Sequence, residues 1–156
     1  MSEKRPGEEN PQEMYLKISA ALKQLEPQVG AMQNQLELIY RNIETYEISK
    51  MTIENIKDLK ENDEILVPIG NVILSKMSIK DPQNFIVNVG SDIAIEKTYQ
   101  DVIKYLEKNI EILNKSREQA EKDYERLMEN IQSLQEQKNM LLQYIQGAAQ
   151  QEKRSL

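Results

Sequence analysis

The sequence predicts a mostly α-helical protein with a small β insert: an antiparallel two-stranded coiled-coil hairpin with two β-hairpins at its base. Three observations lead there. Two long stretches place an apolar residue at alternating steps of four and three, the a/d stripe of a coiled coil. Between them lies ILVPIGNVILSKMSIKDPQNFIVNVGSDIAIEKT (residues 65–98), rich in β-branched residues and turn signals. Composition suits narrow-striped helices better than a large globular core. Apolar residues make up 39% and charged residues 29%, with one Phe, no Trp, five Gly and five Pro in 156 residues.

Residues 1–13 are charged and contain Pro6, Gly7 and Pro11, so they read as a disordered tail. The first helix is expected over 14–60. Its stripe visits Ile18, Leu22, Leu25, Val29, Met32, Leu36, Ile39, Ile43, Tyr46, Lys50 and Ile53. Pro27 removes a helix hydrogen bond and crowds the preceding turn, so a kink, or a helix restarting at Pro27, is expected there.

The insert, 65–97, divides into two hairpins. Gly70-Asn71 is the first tight turn, Asp81-Pro82 the loop between hairpins, and Gly90-Ser91-Asp92 the second turn. Pro68 inside the first strand marks an edge or a bulge. Thr98 and Asp101 form a capping box opening the second helix, 98–146. That stripe visits Ile103, Leu106, Ile110, Leu113, Arg117, Ala120, Tyr124, Leu127, Ile131, Leu134, Lys138, Leu141 and Ile145. Gly147 suits a C-terminal stop, leaving 147–156 as a frayed tail. Arms of similar length joined by a compact insert fold back antiparallel. Residues near 14–18 then lie opposite residues near 140–145.

Four short strands cannot cover their own apolar face. That face is expected to hold Ile65, Val67, Ile69, Val72, Leu74, Phe85, Val87, Val89, Ile93 and Ile95. Open edges and uncovered apolar surface attract further chains. The strands are therefore expected to close into a multi-subunit β-barrel hub. The alternative is that the hairpins fold back onto the bases of the arms, where Ile48, Met51, Ile56, Leu59, Val102 and Tyr105 lie off the seam.

The chemistry classes narrow quickly. The sequence contains neither Cys nor His, which removes thiolate chemistry, the commonest general acid/base and the commonest zinc ligand. Glu61, Asp63 and Glu64 lack the remaining spacing of a calcium loop and read as the solvated exit of the first helix. Gly70 and Gly90 are turn glycines, not a phosphate loop. No catalytic residue, metal site or cofactor is expected, and an enzyme is disfavoured. A net charge of −6 argues against nucleic acid and anionic membrane as partners. No apolar run approaches the roughly 20 residues of a membrane span, and the N-terminus lacks the apolar segment of a secretory signal. A cytoplasmic location is expected.

The local patterns ILVPIG (65–70), KMSIKDP (76–82), VNVG (87–90) and AIEKTYQDVIKYLEK (94–108), in this order and spacing, resemble the α-class subunit of prefoldin. The order helix, two β-hairpins, helix is similar to that class too, whereas the β class has one hairpin. The resemblance implies an ATP-independent co-chaperone, a hexamer of two α and four β subunits built on a double β-barrel. It implies non-native polypeptide held at coiled-coil tips and handed to a group II chaperonin.

A holdase needs reachable apolar groups, and the ends of the two arms carry more than a two-stranded seam can bury. Met14, Leu16, Ile18, Met140, Leu142 and Tyr144 are the expected client contacts. The alternatives are that they thicken the end of the coiled coil, or that these ends are disordered. A purely structural hub or filament-forming protein with the same fold is the competing functional expectation.

Overall fold

A computed structural model describes residues 10–154, with side chains as far as residue 151. The element order is α1 (Pro11–Ile56), β1 (Glu64–Ile69), β2 (Ile73–Ser78), β3 (Asn84–Gly90), β4 (Ile93–Thr98) and α2 (Tyr99–Arg154). The chain forms two compact units, one of Met1–Glu37 with Glu118–Leu156, the other of Leu38–Arg117.

In the first unit α1 and α2 run antiparallel. Gln33 Nε2 donates to Tyr124 Oη at 3.0 Å. Towards the other end, Lys138 Nζ lies 5.3 Å from the centre of the Tyr15 ring. The seam is the one the heptads predict: every a/d residue named above from Ile18 to Leu36, and from Ala120 to Ile145, is buried or half-buried. Asn10 caps α1, its side-chain oxygen accepting the Gln12 N–H at 3.1 Å. Pro11 follows as the first helical residue, where its missing N–H costs no bond. Helix thus begins inside the stretch expected as tail, and residues 1–9 lie outside the described residues.

Two helix breakers do not break. α1 passes through Pro27 without ending, so the expected restart does not occur. Pro27 sits on the exposed side of the helix, where solvent is at hand for the carbonyl that its missing N–H leaves free. α2 likewise continues through Gly147 to Arg154. The residues after Gly147, AAQQEKR, are good helix formers that offset its cost of about 1 kcal/mol.

The second unit holds its own antiparallel segment of the helix pair and both hairpins. Lys50 Nζ meets Glu107 Oε1 at 2.7 Å. The Tyr46 and Tyr105 ring centres are 6.5 Å apart, and the Arg117 guanidinium lies 6.0 Å from the Tyr40 ring. The buried residues are Ile43, Val102, Leu106 and Ile79. Ile79 extends the β1–β2 ladder: its N–H donates to the Asp63 carbonyl at 3.0 Å, and its carbonyl accepts the Asn62 N–H at 2.7 Å. The Asp63 carboxylate accepts the Lys60 N–H at 2.8 Å. The acidic stretch 61–64 therefore closes the turn that leaves α1.

The strands form two separate two-stranded antiparallel sheets, β1–β2 and β3–β4. Asp81 shapes the loop between them. Its carboxylate accepts N–H groups of Gln83 at 2.8 Å and Asn84 at 3.2 Å, and the Asn84 side-chain amide at 2.9 Å. Those bonds, the Asn84 side chain first, hold its pKa below the ordinary carboxylate value. At the entry to α2 the Asp101 N–H donates to Thr98 Oγ1 at 3.3 Å, while that hydroxyl donates to Asp101 Oδ2 at 2.9 Å. The capping residues are as expected; the shorter Asp side chain closes the box on the Thr98 hydroxyl.

Candidate functional site

Two surfaces carry the predicted site residues, one in each unit. The first is the pair of hairpins. The register of β1–β2 places Ile65 beside Met77, Val67 beside Ser75 and Ile69 beside Ile73. The opposite face pairs Leu66 with Lys76 and Pro68 with Leu74. The expected single apolar face is therefore divided. Ile65, Val67 and Ile69 share one side, and Leu74 points to the other together with Leu66.

The cause is the turn. A two-residue Gly70-Asn71 turn would set Val72 opposite Ile69 and Leu74 opposite Val67. The chain instead makes a three-residue loop, Gly70-Asn71-Val72, with Gly70 at φ +66°. One residue of shift moves every following side chain to the other face. Val72 leaves the sheet face for the loop tip, where it is 93% exposed.

The β3–β4 hairpin follows expectation more closely. Phe85 and Val87 lie beside Lys97 and Ile95, with Ile93 continuing that face. A bulge between Asn88 and Gly90 takes Val89 out of the ladder. Gly90 has φ +103°, and its N–H donates to the Asn88 side-chain oxygen at 2.9 Å. Ser91 and Asp92 both have positive φ, the backbone of a two-residue type I′ turn.

Phe85 and Val87 are half-buried by their own chain. They border a cleft of about 420 Å³ with Tyr46, Ile53, Val102 and Leu106. Burial, and then its hydrogen bond with Tyr105, raise the Tyr46 pKa above the ordinary tyrosine value. Part of the apolar face is thus covered by the bases of the helices. The side chains left open include Leu66 (61% exposed), Leu74 (63%) and Ile86 (80%), along with Ile69, Ile73 and Ile93. Leu66, Ile73 and Ile86 were absent from the expected set. Register and bulge decide which strand residues face out, and neither is written in the local hydrophobic pattern.

The second surface is the end of the first unit. Met14 and Ile18 are half-buried, so they belong more to the seam than to an open contact surface. Leu16, Met140, Leu142 and Tyr144 are exposed. Leu16 lies three residues before Ser19 and seven before Lys23; Leu142 lies three after Asn139 and seven after Gln135. Helical spacing sets these six on one side of the pair. Met140 and Tyr144 fall on the other side. Between the helices, Ser19, Lys23, Glu26, Gln135, Lys138 and Asn139, with Leu22 of the seam, line a mainly polar cleft of about 520 Å³.

Among the described residues no group of three or more Asp or Glu could hold a metal ion, and no helix is long and apolar enough to cross a membrane. Paired helices, open strand edges and exposed apolar side chains define a subunit that works by contact with other chains. The prefoldin subunit family model matches residues 25–144. Prefoldin subunit alpha 1 of Thermococcus kodakarensis is 38% identical over 96 residues, 57% of this chain and 66% of that protein. Prefoldin subunit alpha 1 of Methanocaldococcus jannaschii is 31% identical over 118 residues, 73% of this chain and 82% of that protein. A cryo-EM structure described as filamentous PFD from the same organism superposes with a TM-score of 0.63 at 26% identity, covering 74% of this chain and 96% of that one. The chain belongs to the prefoldin family, as an α-class subunit. It is a non-enzymatic, chaperone-type component that assembles with other prefoldin subunits.

Proposed function

We propose that this chain is the α subunit of an ATP-independent co-chaperone, a cytoplasmic α2β4 hexamer. It holds non-native polypeptide at its coiled-coil tips and delivers it to a group II chaperonin. The strands assemble with β-class subunits into a β-barrel hub, and neither nucleic acid nor membrane is a partner. One observation carries the client reading. Leu16, Met140, Leu142 and Tyr144 are exposed at one end of a helix pair whose seam is already filled by other residues. Leu, Met and Tyr side chains adapt to irregular apolar partners, and several such ends on one hub bind by multivalence although each binds weakly.

The test replaces Leu16, Met140, Leu142 and Tyr144 by Ser together. The assembled mass is expected to remain that of the wild type, while suppression of aggregation of a chemically unfolded protein falls steeply. Full suppression by the variant refutes the client assignment.

A second reading is favoured by the relative described as filamentous, nearly all of which this chain matches. There the exposed strands join copies of this chain into an open, structural polymer without client transfer. Electron microscopy of the chain alone, against the chain mixed with a β-class subunit, separates the two. Filaments in both samples favour the polymer; discrete particles only in the mixture favour the hexamer.

A further inference from the structure

The cleft of the first unit lies beside the exposed apolar residues and, Leu22 apart, is lined by polar side chains. Its walls include Ser19 and Glu26 of α1 and Gln135 and Asn139 of α2. The Ser19 hydroxyl oxygen is shut off from solvent and meets no partner among the described residues. Lys138 is turned onto the Tyr15 ring. Leu16 and Leu142 flank this same side, 66% and 38% exposed.

The cleft therefore places two exposed carboxamides, Gln135 and Asn139, beside a hydroxyl that is shut off from solvent and unpaired. We propose that this cleft reads the backbone of an extended, unfolded polypeptide segment, while Leu16 and Leu142 take its apolar side chains. The proposal rests on the client reading above and adds the chemistry that tells unfolded chain from folded surface.

Three physical points support it. A Gln or Asn carboxamide has the donor and acceptor of a peptide unit, so it can pair with any backbone amide whatever the side chain. Gln135 and Asn139 stand one helical turn apart, about 6 Å along the axis. Backbone groups on one edge of an extended chain recur every two residues, about 6.7 Å, so both carboxamides can engage one edge at once. A folded protein has its buried backbone groups already paired, whereas an unfolded segment presents them free.

The experiment uses the full chain assembled with a β-class subunit, and two fluorescent ten-residue apolar peptides of identical side chains. One has free backbone N–H groups; the other is N-methylated at alternate residues. Wild type is expected to bind the free peptide about 5- to 30-fold more tightly, the worth of one to two neutral hydrogen bonds. Gln135→Ala/Asn139→Ala is expected to bind the two peptides within about twofold of each other, and the methylated one as wild type does. Both expected results together support the proposal. Methylation costing wild type less than twofold, or costing the variant as much as wild type, overturns backbone reading and leaves the client reading standing. If neither peptide binds wild type, the client reading fails and this proposal falls with it; if Leu16→Ser/Leu142→Ser binds both peptides unchanged, this proposal is overturned and the client reading stands on Met140 and Tyr144.

Discussion

Replacing Leu66, Leu74 and Ile86 together by Ser separates the stability of the chain from its assembly. These side chains are 61%, 63% and 80% exposed in the single chain. Full burial of such a side chain is worth roughly 1.5–3 kcal/mol, so covering the exposed fraction contributes about 1–2 kcal/mol at each position. Summed over three positions, with some loss to non-additivity, association through the proposed strand hub is expected to weaken by about 3–5 kcal/mol per subunit. At 1.4 kcal/mol per tenfold that weakens its association by about a hundred- to several-thousand-fold. Helicity of the isolated chain should not change, because these residues touch little of it. Val87→Ala is the opposite case: Val87 is half-buried by its own chain, and truncation is expected to lower thermal stability by about 1 kcal/mol. Sedimentation equilibrium of each variant mixed with a β-class subunit, with circular dichroism of each alone, reads the two effects. Wild-type association by the triple variant, within about twofold, would refute the argument that exposure in the single chain marks the hub contacts.

Other perturbations probe individual elements. Pro27→Ala restores one helix hydrogen bond and removes a clash worth about 3 kcal/mol, less about 1 kcal/mol from a more flexible unfolded chain; chemical denaturation should show a gain near 2 kcal/mol. Ser91→Asn/Asp92→Gly places residues that accept positive φ where both angles already are positive. The thermal midpoint should rise by the equivalent of about 1 kcal/mol, and a fall would contradict the type I′ turn. Asp81 has its folded pKa depressed by Asn84 and Gln83. Its contribution is therefore present above the unfolded carboxylate value near 3.9 and is lost as pH falls through the lower folded value. Asp81→Asn should flatten the acid limb of stability between about pH 5 and 2, measured by denaturant midpoints.

The helix pair was legible because its signal is local and redundant. Each a/d position repeats the same statement, and even the charged ones fit: Lys50, Arg117 and Lys138 are all half-buried. The strands carry no such redundancy. Of the five residues expected on the apolar face of the first hairpin, the two that follow the turn depend on its length: a loop of three residues in place of two put Val72 at the tip and moved Leu74 to the opposite face. Helix ends were missed for a related reason. Pro27 and Gly147 are single unfavourable residues, whereas propensity acts over a window and neighbouring turns carry the helix through. That some apolar side chains near the ends of the arms stay exposed was legible, because two arms cannot bury that many. Their division into seam and surface needed the helical phase, which puts Met14 and Ile18 inside and Leu16 outside.

The charged seam positions have a physical role that the apolar ones cannot supply. A stripe of Leu and Ile pairs almost as well after a slip of one heptad, about 10 Å along the axis. Arg117 on the Tyr40 ring, and Lys138 on the Tyr15 ring, lose their partners in such a slip. So do Gln33 with Tyr124 and Lys50 with Glu107. Each contact is weak by itself, and a cation over an aromatic ring contributes about 0.5–2 kcal/mol. Their effect is selective: they leave the stability of correct pairing modestly changed and penalise every wrong one. In the first unit these are Lys138 with Tyr15 and Gln33 with Tyr124; in the second, Arg117 with Tyr40 and Lys50 with Glu107, joined by Tyr46 with Tyr105. In the first unit that same register sets Ser19 across from Gln135 and Asn139. Lys138 belongs to both: it lies over the Tyr15 ring and lines the cleft.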